Sequence, residues 1–433
     1  MKHSYWFYLE PFVHTSIKQD NVLFYNTLNG RAIDYKGNPT IIRMIKKLKL
    51  RKNLLVVKLT DTDQKCSDIS LFVKRIRKYF MGDIIEVSYS AAKPIQMMPQ
   101  LDIQKDIERF KKELKSSVGE NIMNYLREIS IHINSHCRQH CSLCKNAHKQ
   151  FLFCTNKDDD HELEIETIKH LLEEAAGSAL SRLNILGGNI FAYSKFKELT
   201  VILNQRTIFK TYYIHYLNLH NHLIYIDSLD SDSSRLVVLV PFPIEIHPLK
   251  ETLRWIGEKN ISADVTFVIQ SNKEMECAEH TAAQLKMSNF SFKAFYNGRN
   301  LGFFKRSVFI TRHELLESLV TQKEIFLKMA INPLHFGKLV VLNNGSVYAN
   351  VNENKIGNIR KASLYDMVYK EMYSGKSWRK LRTTVDPCKD CLYNLLCPPI
   401  LNYEHTIGRH HLCRIWKEKT RCGNSPQGKN RDR

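Results

Sequence analysis

The chain has 433 residues, is 43% hydrophobic, and carries 64 Lys and Arg against 44 Asp and Glu, a net charge of +20. It has no run of 18 apolar residues and no secretory signal before Glu10, which excludes a membrane span and predicts a cytoplasmic protein. Eleven cysteines in that compartment argue for metal or redox chemistry rather than a disulfide framework. The basic surface favours an anionic partner such as an acidic peptide or redox protein. Without aromatic–basic interleaving, neither nucleic acid nor membrane is an expected partner.

Residues 1–90 read as a small α+β module. Tyr5–Val13, Val22–Asn26 and Ala32–Tyr35 are expected as strands, with Asn29-Gly30 turning between the last two. Asn38-Pro39 opens a helix, a capping residue followed by proline at the first helical position, and Ile41, Ile42, Ile45 and Leu48 form its apolar stripe. A second helix carries Ile69, Val73, Ile76 and Phe80 at helical spacing. A linker over 91–100 leads to a helix capped by Asp102, with Ile103, Ile107, Phe110 and Leu114 on its apolar side.

Over 101–310 strands and helices alternate, the pattern of an α/β domain built on parallel strands. The expected strands are Ile129–Asn134, Arg182–Leu186, Thr211–Leu217, Leu236–Val240, Val265–Ile269 and Phe290–Phe295, with a helix over Leu163–Ala176. Six strands with crossovers fit a partial (β/α)6 barrel of the TIM type, whose chemistry belongs at the C-terminal strand ends. The first strand runs into Cys137-x3-Cys141-x2-Cys144. Three thiolates on one loop can hold three corners of a [4Fe–4S] cubane and leave one iron open. Half of a zinc site is the alternative, although zinc ligands usually come as two close pairs. The second strand ends in Gly187-Gly188-Asn189, where missing side chains permit close backbone approach. Gln270 and Asn272, after the fifth strand, are further polar candidates for ligand contact.

The segment 330–422 holds a second group, Cys388-x2-Cys391-x5-Cys397 and then Cys413. Four thiols so spaced suit a tetrahedral zinc or a fully ligated [4Fe–4S] cluster, and spacing alone does not choose. Lys338–Leu342, Gly345–Tyr348 and Ile356–Ile359 read as a hairpin and turn ahead of it. Cys66, Cys154, Cys277 and Cys422 are expected to be buried small hydrophobes, with Cys154 close enough in sequence to serve the first group as a backup ligand. The tail from Gly423 has the composition of a disordered segment.

The Cys137, Cys141, Cys144 spacing after a first strand resembles the radical S-adenosylmethionine (radical SAM) family. The resemblance implies a SAM-binding [4Fe–4S] cluster on these thiols. Gly187, Gly188 and Asn189 stand where that family's Gly-Gly-Glu motif holds the SAM amino group. Two positions depart from the pattern: Leu143 replaces an aromatic residue, and Asn189 replaces Glu, which removes a negative charge but keeps an acceptor oxygen. The second group resembles the SPASM extension of radical SAM peptide maturases, with Cys388, Cys391, Cys397 and Cys413 matching the complete ligand set of the outer auxiliary cluster. Asn350, reached by Gly345-x4, and Leu401, four residues after Cys397, stand where inner-cluster cysteines are expected, so the resemblance implies one auxiliary [4Fe–4S] cluster. The N-terminal module resembles winged-helix leader-recognition elements, and the opening Tyr5-Trp-Phe-Tyr-Leu-Glu-Pro11 is similar to proteins of the double-glycine-leader peptide systems of the Bacteroidales. What this implies is a maturase that cleaves SAM reductively and abstracts hydrogen from a ribosomally made precursor peptide, to install a crosslink, thioether or epimerised centre. Its partners would be that peptide, leader bound by the N-terminal module, and an external reductant such as a ferredoxin or flavodoxin. Two alternatives stand beside it: a catalytically silent peptide-binding partner, and a maturase of a folded protein such as a sulfatase.

Overall fold

The structure, a computed structural model, describes residues 3–36, 38–89, 92–94, 108, 121–144, 146–155 and 161–415. The expected helix over Ile103–Leu114, Cys422 and the tail from Gly423 lie outside the described residues, apart from residue 108.

The N-terminal module contains two three-stranded antiparallel sheets. One has β1 (Ser4–Leu9) at its centre, between β5 (Val56–Thr60) and β6 (Gly82–Glu86). The other is the meander β2 (Val13–Lys18), β3 (Asn21–Asn26) and β4 (Ala32–Lys36). The expected single strand Tyr5–Val13 is therefore two strands in different sheets. The chain turns at Glu10-Pro11, where the Val13 amide donates to the Glu10 carbonyl at 3.0 Å and proline has no amide to continue a ladder. Asn38 caps the helix Pro39–Leu48 through the amides of Thr40 and Ile41, as expected, and Ile41, Ile42, Ile45 and Leu48 are buried. The next long helix, Ser67–Lys78, buries Ile69, Val73 and Ile76. Phe80 falls beyond its end at φ +54° and is 75% exposed, so it is not part of that stripe. Phe72 takes the central position instead, packed edge-on against Phe7 and Tyr35.

The rest of the chain is organised by one nine-stranded sheet. Its strands β7 (Glu128–His132), β8 (Arg182–Leu186), β9 (Phe209–His215), β10 (Ser234–Pro241), β11 (Ser262–Ile269) and β12 (Phe290–Ala294) pair in order and all in parallel. On the far side of β7, β13 (Lys338–Val341) adds a further parallel strand, followed by antiparallel β14 (Ser346–Tyr348) and β15 (Gly357–Asn358). The expected hairpin of the last third is thus a continuation of the central sheet. One sheet face, with Ile129, Ile131, Leu183, Ile185, Ile214, Val238 and Phe267, packs under helices such as Ile165–Glu174 and Phe196–Asn204. Full burial of each such side chain is worth roughly 1.5–3 kcal/mol. The opposite face is mixed, with Ser130, His132, Asn184 and Thr211 buried beside Leu239 and Val268. The segment after the first cysteine group crosses it, held where Gln150 exchanges hydrogen bonds of 2.9 and 2.8 Å with the Tyr296 backbone. Among the described residues no helix is long and apolar enough to cross a membrane.

The N-terminal module leans on the last third of the chain. Leu23 and Tyr25 of β3 share a core with Leu315, Val320, Cys391, Leu395 and Cys397. The Tyr25 hydroxyl accepts from the Val320 amide at 2.8 Å, and Asp34 accepts from the Tyr393 hydroxyl at 2.6 Å and from Arg312.

Candidate functional site

Parallel strands all end on the same side of a sheet, so loops that follow β7, β8 and β9 meet there. β7 hands the chain to Ile133, whose amide still bonds the Leu186 carbonyl of β8 at 2.8 Å, and then to Asn134. Asn134 is fully buried. Its Oδ1 accepts from the Gly188 amide at 3.0 Å and its Nδ2 donates to the Asn189 carbonyl at 2.8 Å. One residue on the cysteine side thereby bolts the cysteine loop to the glycine loop. The Asn189 amide adds a bond to the His136 carbonyl at 2.5 Å. The glycines are explained by this closeness. A Cβ on Gly187 would meet Asn134 Oδ1 at 2.4 Å, and one on Gly188 would meet the His136 carbonyl oxygen at 2.2 Å. What their backbone approaches in this structure is the cysteine loop.

Cys137 and Cys144 are buried and Cys141 half-buried, with 3.3 Å between the sulfurs of Cys141 and Cys144. His140 holds the left-handed conformation, φ +46°, that folds the loop back between its first two thiols. Leu143 is 2% exposed and packs with Phe153, Leu239, Val268 and Phe295, so it anchors the loop to the mixed face of the sheet instead of facing a ligand. Cys154 is buried in that cluster and hydrogen-bonds with Cys141 and Cys144. The thiols divide the proton between them: bonds from Cys144 and Cys154 hold Cys141 well below the usual thiol range, and the bond to Cys141 drives Cys144 up. Beside the loop, Asn218 Nδ2 lies 3.5 Å from Cys137 Sγ and its Oδ1 accepts from Gln139 at 3.0 Å. His215, at the end of β9, is held neutral by burial, its pKa lowered to about 4.

These loops enclose a polar cavity of about 390 Å³, lined by His136, Arg138, Gln139, Asn189, Asn218 and His222. Asn189 lies at the cavity wall. Its Oδ1 accepts from the Phe191 amide at 3.2 Å, capping the short helix Ile190–Ala192. Gln270 and Asn272 are not among the cavity's lining residues. Gln270 accepts from Asn297 and Asn300, and Asn272 from Ser307, so both tie loops together.

The second group forms around the short helix Cys388–Asp390. Cys388, Cys391 and Cys397 are buried and Cys413 is half-buried. Cys388, Cys397 and Cys413 face one cavity of about 240 Å³, while Cys391 packs in the core shared with β3. Burial raises the Cys388 thiol and pushes Cys397 up to about 12. Sequence reading misses the buried cation here. Arg382 Nη1 lies 3.6 Å from Cys388 Sγ, and the guanidinium also bonds Glu404 and the carbonyls of Pro398 and His410. Its only sequence signal is an arginine six residues before the first thiol. Asn350 and Leu401, where the resemblance expects further thiols, line a common cavity of about 230 Å³. Asn350 there bonds Asn402 at 2.8 Å and approaches His335 at 3.4 Å. Cys277 is exposed and Cys66 half-buried, so neither is the buried hydrophobe expected of it.

Sulfur is the donor that both groups share, which suits an iron–sulfur cluster as well as zinc. Among the described residues no three His, Cys, Asp or Glu side chains close into a set fitted to a single metal ion. A cubane asks for less closeness, because its thiolates bind separate corners. Three thiols beside a polar cavity suit a cluster with one open iron. Four thiols, three of them facing a mostly apolar cavity and the fourth in the adjoining core, suit a closed cluster.

No family model matches the chain, and no curated protein matches it. Among solved structures it is similar to Streptococcus suis SuiB bound to precursor peptide SuiA, at 13% identity and TM-score 0.46 over 94% of this chain and 98% of that one. SuiB bound to S-adenosylmethionine matches at 12% identity and TM-score 0.46, over 94% and 98% of the two chains. Native anSMEcpe with bound AdoMet matches at 11% identity and TM-score 0.46, over 68% of this chain and 94% of that one.

Proposed function

We propose that this chain is a radical SAM enzyme acting on a ribosomally made precursor peptide. The observation that carries the reading is the junction of Asn134 with Gly188 and Asn189, which fixes a three-thiol loop against a polar cavity at the C-terminal edge of parallel strands. Six consecutive parallel strands with helices on one face support a partial (β/α)6 barrel, with the mixed face as its interior. A [4Fe–4S] cluster bound there by Cys137, Cys141 and Cys144 would supply an electron to SAM, and the cofactor carries the difficult step.

The chain's own residues hold and orient. Asn134 fixes the distance between the two loops. Gly187 and Gly188 let the two loops close so that Asn189 presents its amide to the methionine end, while Arg138 and Gln139 offer donors to carboxylate and ribose oxygens. The packing of Leu143 beneath the loop, with Phe153 and Phe295, keeps water from the thiols on the sheet side. Cys388, Cys391, Cys397 and Cys413 would hold one auxiliary cluster in a SPASM-like extension, with Arg382 Nη1 a donor toward the Cys388 sulfur. The N-terminal module reads as the winged-helix-like leader reader, and ten free thiols among the described residues suit a reducing cytoplasm.

Anaerobic reconstitution tests this. The expected result is about eight irons per chain, reductant-dependent 5′-deoxyadenosine, and loss of both SAM cleavage and part of the iron absorbance in the Cys137→Ala, Cys141→Ala, Cys144→Ala protein. Zinc with no cleavage would overturn the enzymatic reading and leave a silent peptide-binding partner. Full activity after removal of residues 1–90 would point to a folded-protein substrate.

A further inference from the structure

Cys154 has no part in the function derived so far, yet the fold carries it back to the first cysteine group. Beyond Cys144 the chain packs Ala147, Phe153 and Cys154 against Leu239 and Val268 on the mixed face of the sheet. It is pinned on the way. Asn352 Nδ2 donates to the Lys149 carbonyl at 2.7 Å, and the Gln150 side chain exchanges hydrogen bonds of 2.9 and 2.8 Å with the Tyr296 backbone. Ala147 and Phe153 are fully buried. The position of Cys154 is therefore set by the end of β12 and by the last third of the chain, and not by the cysteine loop alone.

That position is against the loop thiols. Cys154 is 2% exposed and hydrogen-bonds with both Cys141 and Cys144, whose own sulfurs are 3.3 Å apart. Three sulfurs thus touch one another, and Cys137 belongs to the same loop. The cluster of side chains in which Cys154 packs is otherwise apolar, with Leu143, Phe153, Leu239, Val268 and Phe295. A [4Fe–4S] cluster normally takes four thiolates. Cys137, Cys141 and Cys144 account for three irons, so a single iron is left, and a fourth thiol and SAM must compete for it.

We propose that Cys154 is the fourth ligand of this cluster while SAM is absent, and that it yields the iron when SAM binds. The inference rests on the reading of the first cysteine group as a SAM-binding cluster, and it adds that the chain's own sulfur covers the open iron in the resting protein. In the exchange the iron–sulfur bond to Cys154 breaks and SAM bonds to the iron. No electron moves, and the released thiolate takes one proton from water. The apolar surroundings favour that neutral product, because burial among hydrocarbon disfavours a free thiolate. The covering protects the cluster, since an iron that lacks a protein ligand is the first to be lost on oxidation.

The test uses the full-length protein, reconstituted anaerobically, beside its Cys154→Ala and Cys154→Ser variants. Each is oxidised with ferricyanide in the absence of SAM, and the [3Fe–4S] form left by loss of one iron is measured by electron paramagnetic resonance. The signal of the Cys137→Ala, Cys141→Ala, Cys144→Ala protein is subtracted to remove the second group. Both variants should give about fivefold or more of that form than the parent, which keeps its fourth iron. Calorimetric titration of the unoxidised proteins with SAM supplies the second readout. A ligand that must leave first lowers the apparent affinity by the fraction of protein it occupies, so both variants should bind SAM about fivefold or more tightly than the parent. A purely structural role predicts the reverse, because damaged packing beneath the loop weakens SAM or leaves it unchanged. Ready conversion of the parent without SAM overturns the proposal whatever the variants do, and so do variants that bind SAM no more tightly than the parent. A parent that cleaves SAM but converts readily loses this inference alone. A parent that holds zinc, or no cluster, at the first group loses it together with the enzymatic reading.

Discussion

The glycine pair offers the sharpest test of how the site is built. At Gly188 an added Cβ would sit 2.2 Å from the His136 carbonyl oxygen, 2.4 Å from its carbon and 2.6 Å from the Ser135 oxygen. All three are backbone atoms, so no side chain can swing aside, and contact at an ordinary 3.2 Å or so requires the two loops to separate by about 1 Å. That separation strains the Asn189-to-His136 bond and the Asn134-to-Gly188 bond at 3.0 Å. Overpacking costs about 1–3 kcal/mol and each lost bond roughly 1 kcal/mol, so Gly188→Ala should destabilise by about 3–5 kcal/mol. Gly257, in the helix Ile246–Glu258, is the control, because a Cβ there meets nothing within 4 Å. Gly257→Ala should stabilise by about 0.5–1 kcal/mol through helix propensity. Urea unfolding of the two variants, with iron counted after anaerobic reconstitution, reads both effects. A Gly188→Ala protein within about 0.5 kcal/mol of the parent and with full iron would refute the argument that these glycines exist for loop-to-loop contact.

Other consequences follow from buried charge. Arg382→Met leaves Glu404, which is fully buried, without its ion-pair partner, and should cost about 3–5 kcal/mol in urea unfolding. Adding Glu404→Leu should restore most of that, because the penalty is an unpaired charge and not lost packing. His335 is 6% exposed and burial holds its pKa at about 4, so below the ordinary 6.5 the unfolded chain takes up a proton that the folded chain refuses. Stability should fall by about 3 kcal/mol as pH drops from 6.5 to 4, and His335→Gln should flatten that limb of the stability–pH curve. Glu371 has the opposite sign: burial raises its pKa to about 7, so its contribution is intact below 4.5 and is lost as pH rises through 7. Glu371→Gln should be near neutral at about pH 5 and stabilising by about 3 kcal/mol at about pH 8. Asn218→Leu removes the amide 3.5 Å from Cys137 Sγ. It should lower the potential of the reconstituted cluster by about 40–80 mV, the equivalent of about 1–2 kcal/mol for one electron, read by redox titration.

The six central strands are legible in the sequence because each is a short run rich in β-branched, aromatic and other apolar residues, separated from the next by a turn or helical pattern. Arg182–Leu186 is placed to the residue, and the other five within a few. The cap at Asn38 and the turn at Gly30 are equally legible, since each depends on local chemistry alone. The misreadings occur where distant parts of the chain decide. Nothing near residue 340 announces that Lys338–Val341 pairs with Glu128–Ile131, far earlier in the chain. Gly82–Glu86 is short and half-exposed along most of its length, and becomes a strand through β1. Tyr5–Val13 has unbroken strand propensity, and only the proline at position 11 marks the corner.

The site is legible to the same depth and no further. Spacing puts three thiols on one loop and two glycines on the next because short loops constrain close neighbours. It also suggests that the glycines face a ligand, since missing side chains signal close approach and not what is approached. The structure supplies the partner: the Asn134 amide, which sequence treats as the last residue of a strand, and the backbone just after it occupy the space the glycines leave. Asn189 gains a second use by the same route. With its side-chain oxygen already bonded to the Phe191 amide, it can offer a ligand the second lone pair of that oxygen and the donors of its Nδ2, where a carboxylate would offer charge. An Asn189→Glu variant that keeps its fold should therefore hold the SAM ammonium more tightly by about tenfold, the worth of one charge-assisted bond over a neutral one at about 1.4 kcal/mol. Isothermal titration of the reconstituted protein with SAM reads this directly. An unchanged affinity would mean that the ammonium is held elsewhere in the cavity, and that the Asn134 junction serves the loop alone.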